Sequence, residues 1–311
     1  MSEKPKIHIV LPAGGVRGAF QAGFLHQLFQ EHNEYFSIAR IDGTSVGALN
    51  GFAVINNKID ILKQIWFNIE SINDLFSSWS NSYILPGYLS YYHGFYKGGL
   101  FSNEKLNKLI KDTSETTWDS LSEDSKNKYS CAVVNIGTAK SKYIKGADIN
   151  IIDYVTASAS PWVVSNPVKI DDQLYADGGL LETYPIEFID KCDADITLIL
   201  GYDQEHFNFI SRENDNILTY LANLIDISRF NSINTHKLKE IIKQDSVVAL
   251  ANPMTVLFTE ITKEAIKDGF ESGVDFANTF FNTYIKDYSD TNFKNMMNSN
   301  KNPFEEHYNP K

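Results

Sequence analysis

A chain of 311 residues, 43% apolar and 22% charged, is long enough for one large core or two modest ones and has the make-up of a folded soluble protein. Its net charge of −11 argues against a nucleic-acid partner, because duplex binding needs a clustered basic face. No apolar run approaches the roughly 18 residues of a membrane helix. The opening MSEKPKIHIVLPAGG breaks into glycine too early for a secretory signal, so a cytoplasmic location is expected, with export by another route left open. Cys131 and Cys192 are too few for a disulfide framework and lack metal-ligand spacing, and are expected to be reduced and buried.

In chain order, residues 7–11 (IHIVL) read as a buried strand. Phe20, Phe24, Leu25, Leu28 and Phe29 recur at helical spacing within a helix expected over 17–32. Residues 38–41 read as a second strand ended by Asp42-Gly43, and 46–55 as a second helix. This β-α-β-α order predicts a mostly parallel sheet with helices on both faces. A helix is expected over 58–69. The segment 76–101 then carries nine aromatics in 26 residues with no clean period. Further on, helices are expected at 102–112 and 150–159, strands at 129–134 and 142–144, a hairpin around Asp171-Asp172, and a buried strand at 196–200. Beyond 211 the pattern is mainly helical (213–230, 231–243, 262–284), with a strand near 246–250. One domain over 1–285 is expected, its motif-bearing core at about 5–202, followed by a polar tail over 286–311 that frays.

The stretch Ala13-Gly14-Gly15-Val16-Arg17-Gly18 follows the first strand and opens the first helix. A dinucleotide fingerprint wants G-x-G-x-x-G there, with an acidic residue about 20 positions on. Asp42 is in reach of that role, but the first glycine is missing. A purely structural turn is a third reading.

The second loop changes the balance. Gly43-Thr44-Ser45-Val46-Gly47 between a strand and a helix has the G-x-S-x-G pattern of a nucleophile elbow. Small residues at 43 and 47 let a sharp turn close and push the Ser45 hydroxyl above the sheet. Loops after parallel strands emerge at one carboxyl edge. If the first two strands are neighbours, Ser45 and the N–H groups of Gly14 and Gly15 face one crevice, which is an acyl-transfer arrangement. Arg17 either orients this loop or is a solvated helix-start residue.

Serine needs a base. None of the seven histidines sits in a recognisable catalytic context, although His206 and His236 fall where a triad would place one. Asp177, before Gly178-Gly179, is the other candidate; taken alone, Asp-Gly-Gly is most often a turn.

Together these segments resemble the patatin-like phospholipase family. AGGVRG at 13–18, GTSVG at 43–47 and DGG at 177–179 carry the resemblance, and ASASP at 157–161 with NPV at 166–168 resembles the segment before the family's aspartate. The resemblance implies a three-layer α/β/α fold with additional C-terminal helices. It also implies a Ser–Asp dyad without histidine: Ser45 as nucleophile, Asp177 as proton acceptor, and the loop of Gly14, Gly15 and Arg17 as oxyanion hole. Gly18, Gly43, Gly47, Gly178 and Gly179 support the motifs. The implied activity is hydrolysis of lipid or phospholipid acyl esters with no cofactor and no catalytic metal. In a partly desolvated cleft, the carboxyl of Asp177 would gain basicity. Ala13 stands where the family usually has glycine, and this keeps a catalytically silent binding module as an alternative. The aromatics of 76–101, Trp79 and Tyr88 among them, suit either a transient membrane-surface contact or a core under a long loop. The oligomeric state is not legible.

Overall fold

The computed structural model describes residues 4–78, 98–202, 233–254, 256 and 259–298. The aromatic segment from 79 to 97, the helix expected over 213–230 and the last 13 residues lie outside them.

Eleven strands are described: β1 (Lys6–Leu11), β2 (Ser37–Thr44), β3 (Ser77–Ser78), β4 (Gly99–Ser102), β5 (Tyr129–Asn135), β6 (Lys140–Lys145), β7 (Val163–Ser165), β8 (Val168–Ile170), β9 (Gln173–Asp177), β10 (Ile196–Tyr202) and β11 (Val247–Ala251). The main sheet runs β11-β10-β1-β2-β5-β9-β8, with β6 paired to β5 off that path. The first five strands of that order are parallel; β6 and β9 run antiparallel to β5, and β8 pairs antiparallel with β9. The apolar run of β1 and all seven residues of β5 are buried, as a strand covered on both faces requires. β3, β4 and β7 form a small second sheet.

Helices cover both faces. On one, Ile9 and Ile41 pack with Phe20 and Phe24 of α1 (Gly18–Glu31) and Phe276 and Phe280 of the helix Lys263–Phe280. α1 and that later helix touch backbone to backbone: a Cβ on Gly23 would fall 1.9 Å from the Phe270 carbonyl oxygen, and one on Gly273 would fall 2.1 Å from that of Phe20. Beside them, Phe52 of α2 (Val46–Ile55) packs with Tyr129 and Val133 of β5. On the opposite face Val10, Ile199 and Val247 meet Tyr184, Ile186 and Leu238 of the helix Ile233–Ile241.

The sheet register decides where the site lies. β6 pairs with β5 from Ser130 to Asn135 and takes up one of its edges. β2 and β9 must share the other edge. β2 runs parallel to β5 and ends with Thr44 opposite Ala132. β9 runs antiparallel and ends with Asp177 opposite Val133. Their carboxyl ends meet tip to tip beside one strand.

Several boundaries differ from the sequence expectation. β2 continues through Asp42-Gly43 to Thr44, because pairing with β1 and β5 outweighs the turn preference of Asp-Gly. The helix expected at 102–112 is Glu104–Ser120, and the one expected at 58–69 is α3 (Ile59–Phe67) followed by a separate short helix Ile72–Leu75. The expected fraying from 286 is overturned as far as 298: a helix Asp290–Asn298 buries Phe293, which contacts Tyr284 and Tyr288. Two or three apolar side chains suffice to dock an otherwise polar helix.

Candidate active site

Ser45 follows β2 and precedes α2 with φ 56° and ψ −124°, a costly conformation for a residue with a side chain. The flanking glycines make it feasible. A Cβ on Gly43 would lie 2.4 Å from the Gly47 carbonyl oxygen, and one on Gly47 would lie 2.1 Å from that of Leu11. The second contact also shows the elbow seated directly against the start of the glycine loop, as expected from adjacent β1 and β2.

The Ser45 hydroxyl donates to Asp177 Oδ2 at 2.6 Å, across 132 positions of sequence. Asp177 Oδ1 accepts the Gly179 N–H at 2.7 Å, which turns the other oxygen toward the serine. Gly178 lets this turn press onto β5, since a Cβ there would sit 2.3 Å from the Ala132 carbonyl oxygen. Ser45 and Asp177 are both buried, at 8% and 6% exposure.

In the glycine loop, Gly15 has φ +55°, the left-handed region that favours glycine. Arg17 is not a solvated residue. It is 1% exposed and folds back so that its Nε and its own N–H both donate to the Gly14 carbonyl, at 3.3 and 3.1 Å. Gln21 Nε2 donates to the Pro12 carbonyl at 2.9 Å. Ala13 donates its N–H to the Thr183 carbonyl at 3.0 Å and is not among the residues of positive φ, so its methyl group costs no backbone strain.

Further groups brace the loops, and the sequence assigned none of them that task. Ser158, in the ASASP segment, accepts the Ser45 N–H, and the neighbouring Ser160 carbonyl accepts the Asp177 N–H at 3.0 Å. Asn252, after β11, donates from Nδ2 to the Arg17 carbonyl at 3.0 Å.

Asp42, the residue a dinucleotide reading needs, is fully buried. Its carboxylate accepts from His8 Nε2 at 2.7 Å, from Arg40 Nε at 2.8 and 2.9 Å, and from the Ser130 hydroxyl. It is therefore closed to a ribose. His32 stacks on Phe281, and His26 lies tilted beside Phe270. His93, His206, His307 and the side chain of His236 lie outside the described residues. Among the described residues no group of three or more His, Cys, Asp or Glu is placed to hold a metal, and no described helix is long and apolar enough to cross a membrane.

Beside Ser45 opens a largely apolar cavity. Its walls include Leu49 and Phe52 of α2, Trp66 of α3 and Ile110 of the helix Glu104–Ser120. Thr259 and Ile261, far along the chain, line it as well.

The site is thus a mostly parallel α/β/α sandwich with a serine on a strained elbow, a carboxylate against it and an apolar cavity alongside. The patatin-like phospholipase family matches residues 9–190, more than half of the 311 residues, and the chain belongs to that family. A protein of Acanthamoeba polyphaga mimivirus described only as uncharacterized is 26% identical over 216 residues, 67% of this chain and 69% of that protein. The crystal structure of VipD from Legionella pneumophila superposes with a TM-score of 0.48 at 15% identity, covering 89% of this chain and 67% of VipD.

Proposed function

We propose that the protein hydrolyses carboxylic esters of lipids through an acyl-enzyme on Ser45, with Asp177 as the side-chain base. The observation that carries this reading is the 2.6 Å contact between Ser45 Oγ and Asp177 Oδ2 at the edge of an apolar cavity. Asp177 takes the hydroxyl proton as Ser45 attacks the ester carbonyl. The negative oxygen that forms is met by N–H groups of the Gly14-Gly15 loop, held in shape by Arg17. One such donor contributes about 3 kcal/mol to the transition state. Asp177 then passes its proton to the departing alcohol, and water, activated by the same carboxylate, releases the fatty acid. The apolar cavity supports a lipid acyl group as the part bound.

The catalytic unit extends past the family match. Thr259 and Ile261 line the cavity and Asn252 holds the glycine loop, so the C-terminal part belongs to the same unit as the dyad. The silent-scaffold alternative drew on Ala13, whose backbone conformation is ordinary.

A fluorophosphonate probe tests the reading. The wild type is expected to be labelled at Ser45 and to cleave lipid esters, whereas Asp177→Asn folds normally and turns over nothing. Full activity in Asp177→Asn would remove the dyad, and activity lost in His206→Ala with Asp177→Asn unaffected would favour a triad.

A further inference from the structure

The cavity has a direction that hydrogen bonds establish. α2 starts beside Ser45 and ends at Ile55. Just past that end, Asn56 Nδ2 donates to the Ser114 carbonyl at 3.2 Å. At the start of the helix Glu104–Ser120, Asn103 Nδ2 donates to Ser160 Oγ at 3.1 Å, and the Ser160 carbonyl accepts the Asp177 N–H. Both helices therefore leave the dyad together and run side by side away from it.

Along the second helix, Leu106, Leu109, Ile110, Thr113 and Ser114 face the cavity. From Leu106 to Ser114 this wall is about 12 Å long at about 1.5 Å per residue. One turn beyond Ser114, the buried Trp118 stacks on Phe52 with ring centroids 4.3 Å apart. Phe52 lines the cavity, and Trp118 backs it from outside the lining.

We propose that this channel measures the acyl chain: Leu109 and Thr113 line its path, and Phe52, backed by Trp118, closes it at about 10 to 12 carbons. An extended chain advances about 1.25 Å per carbon, given bonds of about 1.52 Å and angles near 111°. About ten carbons fill the wall, and the first one or two lie between Ser45 and Leu106. The proposal rests on the acyl-hydrolase reading above. It adds that longer chains meet the Phe52–Trp118 floor while shorter ones leave apolar wall uncovered.

The test is kcat/KM across p-nitrophenyl esters from butyrate to stearate, compared within each variant as a profile. Wild-type values are expected to climb about fourfold per buried methylene to decanoate or laurate, then to level or fall. Leu109→Phe narrows the channel about 6 Å nearer the dyad than Thr113→Phe does. It is expected to move the optimum to shorter esters by about five carbons more than Thr113→Phe. If either variant is unstable, thermal unfolding of Ser45→Ala gives the same comparison: decanoic or lauric acid should raise its melting temperature more than stearic acid. A wild-type profile still rising through stearate, identical profiles in both variants, or stronger protection by stearic acid overturns the ruler while Ser45 labelling leaves the hydrolase reading standing. Absence of labelling and of turnover at every length overturns both.

Discussion

The main-chain N–H of Ser45 donates to the Ser158 hydroxyl at 3.0 Å, and that hydroxyl donates in turn to the Ala132 carbonyl at 2.7 Å. Ser158 is fully buried. It ties the strained Ser45 to β5, the strand that also receives Asp177. Removing the hydroxyl leaves a buried N–H without its acceptor, at a cost of about 1–3 kcal/mol. Ser158→Ala is expected to lower the urea midpoint accordingly and to lower kcat about tenfold or more. Ser158→Thr, which keeps the hydroxyl, should recover part of both losses; an unchanged kcat in the alanine variant would leave Ser158 a packing residue only.

The elbow glycines are expected to differ sharply from the first glycine of the Gly14-Gly15 loop. At Gly47 a Cβ meets main-chain oxygens of Leu11 at 2.1 Å and Pro12 at 2.8 Å, and backbone cannot retreat. At Gly14 the nearest atom is Arg17 Cβ at 3.4 Å, an ordinary contact. Gly47→Ala should therefore fail to fold or melt far below the wild type, while Gly14→Ala should stay within about 1 kcal/mol of it by denaturant titration.

Asn252 lies outside the family match and holds the carbonyl of Arg17. Its loss frees one end of the glycine loop without touching the acyl channel. Asn252→Ala is expected to lower kcat about tenfold with KM little changed, because the loop acts on the transition state rather than on the bound acyl chain. A rise in KM alone would place Asn252 in substrate binding instead.

Asp42 joins His8, Arg40 and Ser130 inside the protein. Removing one member of a buried charged pair strands the others, at about 3–5 kcal/mol. Asp42→Ala should show that loss in equilibrium unfolding. In the wild type, titration with nicotinamide or flavin nucleotides should give no binding signal; saturable binding would revive the dinucleotide reading.

The two thiols should be told apart by reactivity. Burial pushes the Cys131 thiol far above its ordinary range, and burial raises that of Cys192, which is only partly buried. The thiolate is the reacting form, and a raised pKa keeps both thiols protonated at pH 8. Ellman's reagent should then modify Cys192 slowly, faster as pH rises, and reach Cys131 only in guanidinium. Rapid reaction of both thiols in native protein would contradict this burial.

Much of the site was readable locally. G-x-S-x-G predicts a turn because its glycines have a steric task within five residues, and the contacts at Gly43 and Gly47 are those collisions. The glycine loop and Asp-Gly-Gly are local in the same way, and strand–helix alternation placed both loops on one sheet edge. The expected buried thiols were half right, since Cys192 is partly exposed. The role of Arg17 stayed open, because whether a helix-start arginine is solvated depends on what surrounds it.

What the amino-acid order alone determined was which short segments can bend, extend or coil: the elbow at Ser45, the loop at Gly14-Gly15, the turn at Asp177. Only the tertiary structure decided that β2 and β9 end against each other on β5, that Ser158 and Asn252 brace the loops, and that Phe52 and Trp118 stack between two helices. Steric demands act between near neighbours and leave a mark in local pattern. Strand register and helix direction are settled by packing between segments a hundred or more positions apart, which no single stretch encodes.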